Sequence, residues 1–291
     1  MGYNDARGAY AITALGPVQN SPVRGAGEQD MDIDIEQSLL ARRRAGRVRV
    51  EAEVFDSLSS TNDYLKERAL GGAAEGRVAI CATQTAGRGR LGRAFFSPPG
   101  TGLYLSLLLR PQTLPVADAV LLTPMAAVAV CEAMEELCAV TAQIKWVNDV
   151  LVRDKKVCGI LTEAAGTPDG ASLDWAVIGM GVNIWPPPGG FPPSLPGAGA
   201  LCAPGTPDLR APLAAAILDR LLAYYEDFAG GAFLGSYRDR SCVIGRDITV
   251  HEGARHYPAR ATGIDERCRL LVRTAAGEKA LDSGEISIGL T

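Results

Sequence analysis

Between residues 87 and 92 the chain reads Gly-Arg-Gly-Arg-Leu-Gly, a GxGxxG run inside a segment that places arginines at 88, 90 and 93. A dinucleotide-binding turn of that spacing needs a helix directly after it, because the helix N-terminus completes the phosphate site. Here the apolar runs on either side, Val78 to Ala82 and Leu103 to Leu109, both read as strands. Gln84 to Arg93 is therefore predicted to be a strand-to-strand loop, which excludes a βαβ dinucleotide unit at this point. Protein kinases also carry a glycine loop between strands, but VAIK, HRD and DFG are all missing. Anion binding survives: glycines expose backbone N–H groups, and guanidinium forks can surround a pyrophosphate or triphosphate. A solvated surface loop fits the same letters. Three arginines without an anion repel one another, so the loop is expected to be mobile when empty.

Composition narrows the setting of that loop. Lys plus Arg number 29 against 33 Asp plus Glu, a net charge of −4, so no global basic field holds a polyanion and any phosphate site is local. With 291 residues, 47% of them apolar, a sizeable core is affordable and wholesale disorder is excluded. Seven cysteines without a CxxC pair signal neither a disulfide framework nor a zinc site, and read as free thiols of a cytoplasmic protein. His251 and His256 are the only histidines, which leaves the main body without a His-based triad or metal cluster; no metal ligands are assigned. The apolar stretch Ala119 to Cys131 is interrupted by Thr123 and Pro124 and reads as too short for a bilayer, and the N-terminus shows no signal-peptide core.

Residues 1–30 lack any period and are expected to be a mobile leader. A helix is predicted over Ile33 to Ala45, with Arg42, Arg43 and Arg44 in its last turn, then a strand over Val48 to Phe55. Ser60 caps a helix from Tyr64 to Ala69. Leu114 to Leu137 reads as one buried helix, Ile144 to Val152 and Val157 to Glu163 as a hairpin around Arg153-Asp-Lys, and Trp175 to Ile184 as a strand. Pro186 to Asp208, with eight prolines, is a long irregular loop before the helix Leu213 to Phe228. The tail changes character: short strands over 248–251, 257–264, 270–274, 279–281 and 286–288 suit a small β-barrel. The expected division is 1–30, 31–233 and 238–291.

Several polar groups could serve a site. Ser60, Thr61, Asn62 and Gln84 are uncharged donors and acceptors suited to a neutral polar head, although as cap and turn residues they need no ligand. Lys145-Trp-Val-Asn-Asp149 offers a cation, an amide and a carboxylate, and Lys156 follows the hairpin turn; each lysine could equally be an exposed edge residue. Gly179 and Gly181 interrupt an apolar strand beside Asn183, as a bulge or a close ligand approach would require.

Taken in order, STN, QTAGRGRLGR, SPPGTGLYLSLLLRP, KWVNDV, KKVCGILTE and VIGMGVNI resemble the biotin protein ligases, specifically the biotin:acetyl-CoA-carboxylase ligases, from about residue 35 to 290. The resemblance implies an α/β catalytic domain, with a mixed, mainly antiparallel sheet and flanking helices related to class II aminoacyl-tRNA synthetases, and a C-terminal SH3-like barrel. It implies an ATP-dependent, AMP-forming ligase that makes biotinyl-5′-AMP and acylates one lysine of the biotin carboxyl carrier domain of acetyl-CoA carboxylase, with magnesium carried by ATP. Ser60, Thr61, Asn62 and Gln84 would hold the biotin head, and Arg88, Gly89 and Arg90 would order over the adenylate. Arg90, Arg93, Asn148 and Asn183 would bind ATP. Lys156, Lys145 and Asp149 would be catalytic, Lys156 bridging the biotin carboxylate and α-phosphate and Asp149 accepting the carrier lysine's proton. Val147 stands where the family has proline, so the local turn is expected to be looser. Phe95 replaces a frequent tryptophan, and Gly179 would let the biotin rings approach. A lipoate or octanoyl ligase or transferase shares the fold. A biotin-responsive DNA-binding regulator would carry a winged helix, for which the residues before the first helix are too few, so a monofunctional enzyme binding neither nucleic acid nor membrane is expected, and a homodimer is left open.

Overall fold

The computed structural model describes residues 46–288 together with 35, 37–39 and 42. The leader expected over 1–30 and most of the helix expected over Ile33 to Ala45 lie outside the described residues; Ile35 and residues 37–39 are helical. The main sheet has seven strands: β1 (Glu51–Leu58), β2 (Arg77–Gln84), β3 (Gly102–Leu109), β4 (Ala142–Lys145), β5 (Asp149–Val152), β6 (Lys155–Gly166) and β7 (Leu173–Asn183), in the order β1-β2-β3-β7-β6-β5-β4. Only β1 and β2 are parallel, because a helix, α1 (Thr61–Leu70), crosses over between them. Every other neighbour is antiparallel, as expected.

The sheet buries both faces, which is why β3 is buried throughout and reads as an apolar run interrupted only at Ser106. Leu103, Leu105, Leu107 and Leu109 enter the larger core beneath α2 (Leu122–Cys138) and α3 (Arg210–Glu226). Leu108 enters a smaller core with Leu65 and Ala69 of α1, and by the two-residue alternation Tyr104 and Ser106 share that second face. The same alternation puts Gly159, Leu161 and Glu163 of β6 and Gly179 and Gly181 of β7 there too. One face of the sheet is thus a structural core and the other, beside α1, collects polar groups and glycines.

Several predicted boundaries shift for local reasons. The Leu114 to Leu137 segment begins as a 3-10 helix over Val116–Leu121, and α2 starts at Leu122 with Pro124 in its first turn, where a missing N–H costs no helical bond. Val116 to Cys138 has the length and mean hydropathy of a membrane-crossing helix, but α2 packs on α3, β4 and β6 as a core helix does. Ile144 to Val152 is two strands and not one: Lys145 pairs with Asp149 and closes a connection of Trp146, Val147 and Asn148, with Trp146–Val147 in the cis form. That connection is pinned where loosening was expected. Tyr237 Oη donates to Val147 O at 3.0 Å, and Trp146 Nε1 donates to Cys268 O at 2.9 Å. The β5–β6 turn uses Arg153 and Asp154, both at positive φ (53° and 59°), as a two-residue hairpin with right-handed twist needs. A short helix, α4 (Phe233–Asp239), follows Gly231 and was not expected.

The tail forms β8 (Asp247–Glu252), β9 (Arg255–Ile264), β10 (Leu270–Thr274), β11 (Gly277–Leu281) and β12 (Glu285–Ile288), an antiparallel sheet ordered β11-β10-β9-β8-β12. It docks on the main body through Trp146 and Cys268, through Arg238 Nε to Ile264 O at 3.0 Å, and through Arg267 to Ala117 O at 2.8 Å. Trp146 is 4% exposed, so Trp146→Phe leaves the Cys268 carbonyl without its donor in a dry seam. A loss of about 1–3 kcal/mol in urea unfolding is expected.

Candidate functional site

A pocket opens on the α1 face, lined at one end by Ser60, Thr61, Asn62 and Gln84 and at the other by Arg88, Gly89, Arg90, Asn148 and Lys156. Phe95, Tyr104, Gly159, Gly179 and Gly181 line its floor and walls. The inner end exists because α1 begins at the sheet. Ser60 caps the helix, its Oγ accepting from Asp63 N at 3.4 Å, and Thr61 and Asn62 in the first turn lie 4% exposed against β3 and β7.

These groups form one buried network. Ser106 Oγ lies 2.7 Å from both Thr61 Oγ1 and Asn62 Oδ1. An amide oxygen only accepts, so the single Ser106 proton points to Asn62 and the Thr61 proton is left to Ser106 Oγ or to Gln84 Oε1, 3.2 Å away. Asn62 Nδ2 donates to Leu161 O at 3.2 Å and to Glu163 Oε2 at 3.0 Å, which uses both of its hydrogens. Gln84 Oε1 accepts from Thr61 N at 2.9 Å, and Gln84 Nε2 donates to Ser97 Oγ at 3.2 Å. What remains, among the described residues, is one lone pair on Asn62 Oδ1, both on Thr61 Oγ1, the second Gln84 Nε2 hydrogen and the Ser60 hydroxyl hydrogen. Two acceptors and two donors converge on the pocket.

Glycines make the floor. A Cβ on Gly179 would stand 2.0 Å from Asn62 Oδ1, so this glycine makes room for the Asn62 amide itself, where ring approach by a ligand was expected. The Phe95 ring lies across Gly159 and Gly181, a directly opposed pair in β6 and β7, where added Cβ atoms would meet it at 2.9 and 2.6 Å. The aromatic face expected at Phe95 is therefore part of the pocket.

Each arginine of the loop has its own partner, so mutual repulsion does not set the loop's shape. Arg88 pairs through NH1 with Asp63 and, at 3.1 Å, with Glu163. Arg90 NH1 donates to Asn148 Oδ1 at 2.9 Å and its NH2 to Gly284 O at 3.4 Å. Arg93 pairs with Glu285 of β12. Gly89 N donates to Arg93 O and Phe95 N to Gly87 O, closing the loop as a small hairpin. Lys156 Nζ stands 2.7 Å from Asp149 Oδ1 at the outer end.

The structure thus brings together Ser60, Thr61, Asn62, Gln84, Arg88, Gly89, Arg90, Asn148 and Lys156. Four expected residues stand outside that lining. Lys145 ends β4 opposite Asp149; Asp149 reaches the site only through Lys156; Arg93 is drawn to β12; and Asn183 Nδ2 donates to Gly199 O at 3.1 Å, tying down the proline-rich loop. That loop in turn bonds the Lys156 backbone on both sides, through Gly197 O and Gly199 N. Sequence reasoning missed Ser106 and Glu163. Burial alone would raise the Glu163 carboxyl, but hydrogen bonds from Lys66 and Asn62 and the charges of Lys66 and Arg88 outweigh it and hold it below the usual range. Burial pushes the Cys158 thiol well up, so it is a packed apolar residue and no nucleophile. Among the described residues no group of three or more His, Cys, Asp or Glu could hold a metal.

Comparisons with known proteins bear on this geometry. A sequence model described as the biotin/lipoate A/B protein ligase family matches residues 54–183, and one described as the biotin protein ligase C terminal domain matches residues 243–289. The chain is 34% identical over 239 residues to the bifunctional ligase/repressor BirA of Bacillus subtilis, covering 80% of this chain and 73% of that protein. It is 30% identical over 244 residues to the biotin–acetyl-CoA-carboxylase ligase of Mycobacterium tuberculosis, covering 81% and 88%. Among solved structures, the biotin protein ligase of Aquifex aeolicus in complex with biotin and ATP superposes with a TM-score of 0.66 at 27% identity, covering 82% of this chain and 99% of that one.

Proposed function

The chain belongs to the biotin protein ligases, and from that membership we propose how its own residues carry the reaction of that family: activation of biotin by ATP to biotinyl-5′-AMP and transfer of biotin to a lysine of a biotin carboxyl carrier protein. The observation that carries the assignment of ends is the converging set of two acceptors and two donors at Ser60, Thr61, Asn62 and Gln84. A ureido ring offers two N–H donors and a carbonyl with two lone pairs, which that set satisfies. A lipoyl or octanoyl chain has no such groups and would leave all four without a partner.

With the ring held there, the acyl chain runs along the Phe95 ring, and the carboxylate arrives among Lys156, Arg88 and Arg90. A carboxylate is ionised at neutral pH and needs no base to attack the α-phosphate. It needs its charge, and the phosphate's, neutralised. Lys156 and the loop arginines supply that, together with the magnesium that enters as part of the nucleotide substrate. The new bond joins a biotin carboxylate oxygen to the α-phosphorus, and pyrophosphate leaves. In the second step the carrier lysine amine attacks the acyl carbon, AMP leaves, and a proton must depart from the amine. Asp149 orients Lys156 by their ion pair and is the carboxylate that touches that ammonium, so both roles are assigned to it. Asn148 fixes Arg90. Arg93, through Glu285, holds the loop to the C-terminal sheet.

The acceptor is the carrier domain of acetyl-CoA carboxylase, the reading favoured by relatives whose names specify that carboxylase. Catalytic residues 31–233 and the C-terminal unit 238–291 form the division kept in this proposal, and seven unpaired cysteines suit a cytoplasmic setting. Mass spectrometry of a purified carrier domain incubated with the protein, biotin and MgATP should show one added biotin on one lysine. Lipoate or octanoate in place of biotin should give no adduct; an adduct with either and none with biotin overturns the assignment.

A further inference from the structure

Glu163 touches a residue at each end of the pocket, Asn62 and Arg88. Its Oε2 accepts from Asn62 Nδ2 at 3.0 Å, its Oε1 lies 3.1 Å from Arg88 NH1, and Lys66 Nζ approaches Oε1 at 2.8 Å. The side chain is 19% exposed and stands near the end of β6, where Glu163 pairs with Val177 of β7. Asp63 adds a second carboxylate to Arg88 NH1, so two anions face two cations and the cluster is neutral. All of these contacts use Arg88 NH1. Among the described residues no partner takes Arg88 Nε or NH2, and the guanidinium is 40% exposed at the pocket wall. One corner of a planar fork is anchored and the other edge stays open to an anion.

We propose that Glu163 is a positioning residue that couples recognition of the biotin ring to the adenylate loop, by fixing the Asn62 amide with one contact and aiming the open edge of Arg88 with the other. The proposal rests on the reading of Asn62 and Arg88 given above. Its physical content is that the two contacts differ in kind. The one to Asn62 needs only an acceptor, whereas the one to Arg88 needs a negative charge. A neutral amide in place of Glu163 keeps the first and loses the second; a methyl group loses both.

Pyrophosphate exchange with purified variants separates these. Glu163→Gln is expected to hold the biotin KM within about twofold of wild type while kcat/KM for MgATP falls about tenfold, the size of one charge-assisted contact. Glu163→Ala is expected to show the same MgATP loss and, in addition, a biotin KM raised about tenfold. Asn62→Ala and Arg88→Ala run alongside, the first moving the biotin KM and the second kcat/KM for MgATP. If those two variants move neither constant, the reading of the site fails and the proposal with it. If they act as stated but the Glu163 variants move both constants in equal proportion with a lowered Tm, or move neither, then the site reading stands and the coupling role is overturned.

Discussion

Lys156→Ala lowers biotin-dependent pyrophosphate exchange about a hundredfold, while transfer from separately supplied biotinyl-5′-AMP falls far less. The size follows from removing one partly desolvated cation from a transition state in which two anions meet, a loss of the order measured when a single preorganised donor is deleted. The fold should tolerate the change. Lys156 N donates to Gly197 O, Gly199 N donates to Lys156 O, and the residue keeps its place in β6 opposite Leu151, so the backbone does not depend on the ammonium. Asp149→Asn gives a milder loss in the same half-reaction, because it frees the ammonium without deleting it. Lys145→Ala should leave exchange near wild type, since Lys145 lies outside the pocket lining. Equal losses in both half-reactions of Lys156→Ala, or none, would show that its charge acts elsewhere.

The parts of this site that could be read from the sequence are those where a motif coincides with the end of an element. Ser60, Thr61 and Asn62 are legible because a helix cap must bring its polar groups to the sheet, and Gln84 and Arg88 because a strand ends and a glycine loop begins there. Lys156 is legible from its place after a two-residue hairpin. Side-chain direction over a few residues is what the letters do not carry. Lys145 and Asn148 belong to one short motif, yet the connection between β4 and β5 sends Asn148 to Arg90 and leaves Lys145 outside. Arg93 is three residues from Arg90, yet it reaches a strand nearly two hundred positions away, which no local pattern announces. Ser106 did leave a signal. A lone hydroxyl in the run LYLSLLL must find a partner when buried, and it finds two. Glu163 reads as the polar end of a strand, and only the approach of α1 and of the glycine-arginine loop across the sheet gives it Asn62, Lys66 and Arg88.

Gly179→Ala should raise the biotin KM between tenfold and a hundredfold, although the substitution adds a single methyl group. The new Cβ would lie 2.0 Å from Asn62 Oδ1, 2.9 Å from its Cγ and 3.2 Å from Ser106 Oγ. Retreat of the strand is blocked, because Gly179 is paired with Ser106 of β3 on one side and Leu161 of β6 on the other, in the middle of a sheet packed on both faces. Asn62 must therefore move, and its departure breaks the bonds to Leu161 O, Glu163 and Ser106 together. Overpacking of this kind costs about 1–3 kcal/mol of stability. The double variant Asn62→Ala/Gly179→Ala separates the clash from the chemistry, since it deletes the atoms that collide. Its urea midpoint should return most of the way to wild type while its biotin KM stays as high as that of Asn62→Ala alone. Recovery of biotin binding in the double variant would mean that strain in the sheet, and not the placement of the Asn62 amide, limits the single variant. Wild-type biotin binding by Gly179→Ala would mean that the amide is not where the ring is held.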